Sequence, residues 1–393
     1  MRLTSPSEPI KRDSFVAYGA LGTIDSVPIW DFALWIPFAL AAAATLTIWI
    51  REPLAEWTYE ILIFAAAALV SLRAKSIPRT PLSAVVALLA LWGFAQLVLG
   101  ATVYRNATWN AALRDTALAA TAFVASYGRS PRTILKAMIW FGFVVAVVSV
   151  VSYYTSAGRV LWIFPNPYPE AWGPFLNRDN FAQFLEIALP PALWWAIRHD
   201  RQYCWIAAAI LAAGLASASR AGAAILLAEC AVVFAVTRAH RVAIRFLAAG
   251  LLLSAIFGTT QLILRLREPD PLRYRREMMQ SAVQMIRARP LSGFGLGTFS
   301  TVYPQFATFD AGLTVEHAHN DWLEWASEGG VGFAAVWAAL GVIALRDLRR
   351  RMWMLGVAAV MVHALADFPF ARFGVSAWTF LLIGMREVDA RKH

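Results

Sequence analysis

The residues best suited to chemistry in this chain lie in one short polar phrase, Glu316-His317-Ala318-His319-Asn320-Asp321, which runs into Trp322-Leu323-Glu324-Trp325-Ala326-Ser327-Glu328-Gly329-Gly330. Two histidines beside an amide supply the groups needed to accept, hold or orient a proton. The bland reading is also available. Asn320 and Asp321 are good helix caps, and the histidines then only line the entrance of the helix that follows. Two His with Glu316 and Asp321 lack a standard zinc-ligand spacing, so no metal is expected. The phrase stands between long apolar runs, which points to an integral membrane enzyme working on one face of the bilayer.

The elements that would position this phrase are transmembrane helices. Of the 393 residues, 59% are hydrophobic and 15% charged, against about 25% charged in ordinary soluble domains. Twelve apolar runs recur, at about 28–50, 59–72, 82–103, 108–127, 137–157, 181–197, 203–218, 221–237, 243–263, 320–345, 353–368 and 373–386. Runs of about 20 residues cross a hydrocarbon core of about 30 Å, and helices satisfy their own backbone polar groups there. The expected fold is all-α, a polytopic bundle of about twelve helices. Cys204 and Cys230 fall within predicted helices and read as free packing thiols. Residues 1–27 carry no cleavable signal pattern.

The net charge of +10 forms no single stripe, so nucleic acid is not an expected partner. The basic residues alternate from loop to loop instead. With the N-terminus in the cytoplasm, 21 of the 35 basic residues fall on inside segments, from Arg2, Lys11 and Arg12 to Arg386, Arg391 and Lys392. The short outer loops hold one each: Arg51, Arg105, Arg220 and Arg372. This is the positive-inside pattern, and it places both ends in the cytoplasm. Two outer segments depart from it. Residues 158–179 hold Arg159 and Arg178, and residues 264–319 hold seven arginines, including Arg273, Arg275 and Arg276. Arginine at an outer membrane surface suits an anionic ligand such as a phosphate.

In the first of these segments Pro165, Pro167 and Pro169 exclude regular helix, and its aromatics read as an interfacial belt or a platform for sugar rings. Asn177-Arg178-Asp179-Asn180 then opens a helix, where Asn or Asp can cap. Arg220, in Ser219-Arg220-Ala221-Gly222, lies at an outer boundary, with snorkelling as its bland reading. In the second segment, Met278, Met279, Ala282, Val283 and Ile286 recur at helical spacing. An amphipathic helix over about 271–288 is expected, able to lie on the bilayer surface. Gly293, Gly295 and Gly297 follow it. Without a strand–helix unit they do not make a dinucleotide fingerprint; they permit a tight backbone path.

Taken in order, these motifs resemble the O-antigen ligase and polysaccharide polymerase superfamily of bacterial inner membranes. The resemblance runs from about 174 to 385. It rests on Phe175-Leu176-Asn177-Arg178-Asp179-Asn180-Phe181-Ala182, Ser219-Arg220-Ala221-Gly222, Pro290-Leu291-Ser292-Gly293-Phe294-Gly295-Leu296-Gly297, His317-Ala318-His319-Asn320-Asp321 with Glu328-Gly329-Gly330, and His363-Ala364-Leu365-Ala366-Asp367-Phe368-Pro369. It implies a glycan donor on undecaprenyl pyrophosphate at the periplasmic leaflet. The implied acceptor is a sugar hydroxyl, on lipid A–core in ligases or on another lipid-linked glycan in polymerases. It implies no metal and no cofactor. At the matching positions Arg178, Arg220 and Arg275 would hold the pyrophosphate and His319 would activate the acceptor, with His317, Asn320 and Arg276 in support. Arg273 and Arg276 are alternatives to Arg275 by register. Many members have histidine where this chain has Asn180, so Asn180 receives no role.

The implied organisation is a cytoplasmic segment 1–27, N-terminal transmembrane helices over 28–157, a ligase-like catalytic region over 158–386 with a periplasmic loop 264–319, and a cytoplasmic tail 387–393. Pyrophosphate is already a good leaving group, so such an enzyme must mainly neutralise charge and align the acceptor. No carboxylate pair is clearly placed for glycoside hydrolysis. A secondary transporter is the competing class, with Arg114, Asp115, Glu186, Glu229, His363 and Asp367 as intramembrane ionisable residues. No internal repeat supports it. An assembly protein without catalysis is the remaining class.

Overall fold

The computed structural model describes residues 32–50, 52–74, 76–166, 171–268, 273–308, 312, 314–346 and 348–390. The expected N-terminal segment, Arg51, Lys75, Pro167, Pro169, Arg391 and Lys392 lie outside the described residues.

Among the described residues the chain is all helical. The first five helices are α1 (Trp35–Leu46), α2 (Pro53–Arg73), α3 (Pro81–Leu99), α4 (Arg105–Ala125) and α5 (Pro131–Thr155). Next come α6 (Arg178–Arg198), α7 (Tyr203–Ala216), α8 (Arg220–Thr237), α9 (His240–Phe257) and α10 (Thr260–Leu266). The last are α11 (Arg273–Ala288), α12 (Phe299–Val302), α13 (Asp321–Ala344), α14 (Leu355–His363) and α15 (Phe373–Ala390). Local chemistry sets many of the starts. α2, α3 and α5 each begin with proline in the first turn, where its missing N–H leaves no bond unmade. Thr80 and Ser83 form a reciprocal capping box on α3.

Each of the twelve expected segments contains a helix. Six helices, α2, α3, α5, α8, α9 and α13, are long and apolar enough to cross a membrane, so the chain is a multi-pass membrane protein in type. Two segments are broken where one helix was expected. The run over 243–263 stops at Gly258, whose φ of 83° ends α9 before α10 begins. The run over 320–345 kinks at Gly330, with φ 77° and ψ 169°.

α6 is the central post. It packs against α5, α7, α8, α14 and α15, and Phe181–Leu193 is buried throughout in spite of Pro190 and Pro191. Trp378 of α15 is fully buried and donates from Nε1 to Thr45 Oγ1 at 2.9 Å. Residues 158–166 and 171–177 form no helix. Their aromatics divide: Trp172 stacks on Tyr153 at 4.0 Å in the core, whereas Trp162 and Phe164 stay exposed.

α11 occupies the range expected of the amphipathic helix, but its apolar face meets protein. Ala282 and Met285 are buried with Phe294, Phe299, Val302, Tyr303 and Ala318 in a second, smaller core. Ala318 lies between the two histidines, so this core anchors their loop.

The glycine-rich stretch after α11 threads into the kink of α13. Phe294 N and Gly295 N donate to the carbonyls of Ser327 and Glu328, at 3.1 and 2.9 Å. Gly297 N and Phe299 N donate to the two oxygens of the Glu328 carboxylate, at 2.8 and 2.7 Å. A Cβ on Gly330 would stand 2.1 Å from Leu291 O, and one on Gly293 would stand 2.1 Å from Glu328 O. Both glycines have positive φ, so only glycine fits either the conformation or the space.

Candidate functional site

Asn320 caps α13, its Oδ1 accepting from Leu323 N at 3.0 Å. Asp321 does not cap. Its carboxylate accepts from Phe370 N at 3.1 Å, and its own N–H goes to Ala364 O at 2.9 Å. These bonds dock the histidine loop onto the turn that ends α14. A helix C-terminus leaves carbonyls without partners, and here donors from elsewhere take them. Trp322 Nε1 bonds Met361 O at 3.0 Å, Asn320 Nδ2 bonds Leu365 O at 2.8 Å, and Arg275 Nη1 bonds Ala366 O at 2.8 Å. A cation at this end also opposes the helix dipole.

The docking brings His319 to Asp367. Nδ1 of His319 lies 2.9 Å from Asp367 Oδ1. The histidine reaches it from a left-handed backbone, φ 51°, which costs a non-glycine residue of order 1–3 kcal/mol. Asp367 is fully buried, while the His319 side chain is 26% exposed. The other oxygen, Oδ2, accepts from Gln183 Nε2 at 3.0 Å, and Gln183 Oε1 accepts from Asn180 Nδ2 at 2.9 Å. Donors therefore converge on Asp367 from both sides. A carboxylate only accepts, so Nδ1 carries the hydrogen and a neutral ring holds its lone pair on Nε2.

His317 forms a parallel pair. Its Nδ1 lies 2.9 Å from Glu324 Oε1, and Glu324 Oε2 accepts from Ala318 N at 2.8 Å. Phe368 separates the two histidines, stacked on His317 at 4.4 Å and edge-on to His319 at 4.9 Å.

The arginines meet this cluster through Asp179. Asn177 caps α6, its Oδ1 accepting from Asp179 N at 2.8 Å, so the Asp179 side chain is left for other work. Arg275 Nη2 donates to Asp179 Oδ2 at 2.8 Å, and Ser219 Oγ donates to Asp179 Oδ1 at 2.7 Å. Burial alone would raise the Asp179 pKa, but the Arg275 charge and these two hydrogen bonds hold it below the ordinary aspartate range. For Arg275, burial acts against the charged form, yet Asp367 and Asp179 outweigh it and keep the guanidinium protonated.

Arg220 follows Ser219, but its guanidinium turns to the end of α10, donating to Arg265 O at 3.0 Å and pairing with Glu268 at 3.3 Å. Arg178 is the first residue of α6, half-buried beside Asp179. Arg276 is exposed on α11. Of the expected site residues, His319, Asn320 and Arg275 thus meet on one turn, residues 364–367. Only Ser219, the neighbour of Arg220, reaches them through Asp179, while the Arg220 guanidinium itself is held at α10, and His317 stands across Phe368.

Residues 205–338 match a family model described as O-Antigen ligase. Over this stretch the chain is similar to that family. No curated protein gives a significant match to the chain. The O-antigen ligase match takes in Arg220, Arg275, Arg276, His317, His319 and Asn320 and stops before Asp367. Sequence reasoning gave no role in the site to Asp179, Gln183, Glu324 or Asp367. One signal was there to read: Asp179, Gln183 and Glu186 fall at steps of four and three, on one face of a helix.

Proposed function

We propose that this protein transfers a glycan from a lipid-linked pyrophosphate to a hydroxyl acceptor, with His319 as general base and arginines holding the pyrophosphate. The observation that carries the reading is the turn at 364–367, where Asp367 orients His319 and the neighbouring carbonyl of Ala366 binds Arg275. The anchors of the proposed base and of the proposed phosphate-binding cation are thus adjacent residues.

In this reaction the acceptor oxygen attacks the anomeric carbon of the glycan. The bond from that carbon to the pyrophosphate oxygen breaks, and the acceptor proton passes to Nε2 of His319. Negative charge gathers on the leaving pyrophosphate, beside Arg275, with Arg178 and Arg220 at its flanks. Arginine forks match phosphate oxygens bidentately, and fixed cations lower the barrier as charge develops. The family match supports a membrane glycan transferase. Undecaprenyl pyrophosphate as donor carrier, lipid A–core as acceptor and the periplasmic face of an inner membrane are the finer parts of the proposal. Polymerisation of O-antigen or exopolysaccharide units is the same chemistry on another lipid-linked glycan.

Two experiments test it. With purified protein and a lipid-pyrophosphate glycan, Arg275→Ala should cut transfer by about 10²-fold or more, and Arg275→Lys should rescue poorly. Near wild-type transfer by Arg275→Ala would remove the phosphate role. In a deletion strain, loss of polymer from lipid A with lipid-linked polymer accumulating identifies a ligase. A single repeat unit left on lipid A identifies a polymerase.

A further inference from the structure

Three ionisable side chains lie inside the helical body, where the transfer chemistry has no direct use for them. Glu186 of α6 and His363 of α14 are fully buried, and Glu229 of α8 is 3% exposed. His363 Nδ1 lies 2.7 Å from Glu186 Oε1. Glu186 Oε2, His363 Nε2 and both carboxylate oxygens of Glu229 are buried without a hydrogen-bond partner. A buried ionic pair of this kind is a poor device for stability, since well-packed apolar residues often serve as well or better. Its use must lie elsewhere, and its position shows where.

Glu186 lies three residues after Gln183 on the same face of α6. His363 lies four residues before Asp367, and the N–H groups of Ala366 and Asp367 both bond His363 O, at 2.8 and 3.1 Å. Two cross-links therefore join the same two elements one helical turn apart: Glu186 to His363, and Gln183 to Asp367. A single cross-link would let the turn pivot about it. Two fix both its height along α6 and its rotation.

We propose that the Glu186–His363 hydrogen bond is a positioning device for the general base, holding the turn that carries Asp367 at the height where its carboxylate meets His319. The proposal rests on the reading of His319 as base. Glu186 and His363 touch neither donor nor acceptor; they act through Asp367.

The test compares Glu186→Gln, which keeps an oxygen to accept from His363 Nδ1, with the double variant Glu186→Leu/His363→Leu, which removes the bond and leaves neither group unpaired. The wild type and His319→Ala are measured alongside, for kcat, donor KM and melting temperature. Glu186→Gln should turn over within a few fold of wild type. The double variant should lose kcat on the order of 10²-fold, as a misplaced catalytic group does. Its donor KM should hold and its melting temperature should match or exceed the wild type. A purely structural pair would leave kcat unmoved once the protein is folded. If the double variant does not insert, Glu186→Met carries the same kcat expectation against Glu186→Gln, with a lower melting temperature because His363 Nδ1 is left unpaired. Wild-type turnover by the leucine or methionine variant, or an equal loss in Glu186→Gln, overturns the proposal. Near wild-type turnover by His319→Ala instead defeats the base reading on which it rests.

Discussion

At the scale of single residues, the proposed transfer turns on which nitrogen of His319 faces the substrate. Asp367 takes Nδ1, so the carboxylate selects the tautomer as well as the orientation of the ring. His319→Ala should lower turnover by about 10²–10⁴-fold with donor binding retained. Asp367→Asn should fall in the same range, because an amide can donate to Nδ1 and stabilise the wrong tautomer. His317→Ala should do less. Assays of kcat and donor KM on the purified variants decide between these outcomes. Asp179 carries a separate, pH-linked expectation. Its folded carboxyl ionises more readily than the unfolded one. The stability it contributes is therefore fully present above the ordinary aspartate value of about 3.9 and is lost as pH falls through the lowered folded value. The melting-temperature advantage of wild type over Asp179→Asn should hold from neutral to mildly acidic pH and shrink below about pH 4. A constant difference down to pH 3 would refute the assignment. His319 and Asn320 were legible as a pair because they are adjacent in sequence, and Arg275 was added to them only through the order of motifs in the family resemblance. The partners Asp367 and Gln183 were not, because they lie 48 and 136 positions away from His319 in a chain of 393 residues and meet it only once α6 and α14 have packed.

At the scale of elements, the glycine-rich stretch and the kink of α13 form one interlocked joint. Composition showed that the backbone must turn tightly at 293–297, and all three glycines there have positive φ. It did not show what the stretch turns around. Glu328 is that centre, its carboxylate taking two backbone N–H groups and its carbonyl a third. Gln96 closes the joint from α3, donating to Ser292 O and Glu328 O and accepting from Leu296 N. Gly330→Ala should cost of order 1–3 kcal/mol through the backbone conformation alone, with the clash against Leu291 O in addition. Gly100 also has a positive φ, but nothing lies within 4 Å of the position its Cβ would take. Gly100→Ala is therefore the control. Melting temperature should fall further for Gly330→Ala, which adds the clash, than for Gly100→Ala, which carries backbone strain alone; equal falls would mean that the joint is loose. For a related reason the sequence left open what covers the apolar face of α11. Periodicity identifies an apolar face but not what covers it, and here a small protein core does.

At the scale of the whole molecule, charge along the chain predicted orientation and apolar length predicted the spans. All twelve expected segments contain helices, while among the described residues six helices meet the length and hydropathy of a membrane crossing. The shorter or more polar helices, such as α6 and α14, sit among others and need not be apolar on every side. α4 carries Arg114 and Asp115, and Asp115 is buried. Interior helices of this kind carry the polar groups, so hydropathy alone under-reads them. Reporter fusions after residue 300 should read periplasm and fusions after residue 350 should read cytoplasm. The reverse pattern would put the arginines and histidines on the wrong side of the membrane for a periplasmic donor.

Arg275 uses its two terminal nitrogens on different partners, Asp179 on one side and the carbonyl of Ala366 on the other. The same cation that would meet the pyrophosphate is thus a strut against the peptide next to Asp367. Drawing its charge toward a donor loads that strut, and the load reaches the orienter of His319 across one peptide unit. Donor and acceptor affinities should then be linked, and linkage is reciprocal: whatever factor the donor imposes on acceptor affinity, the acceptor must impose on the donor. Equilibrium titrations with a non-transferable donor analogue, run in both orders of addition, should return one factor different from unity. A factor of unity in both would mean that the strut carries no load.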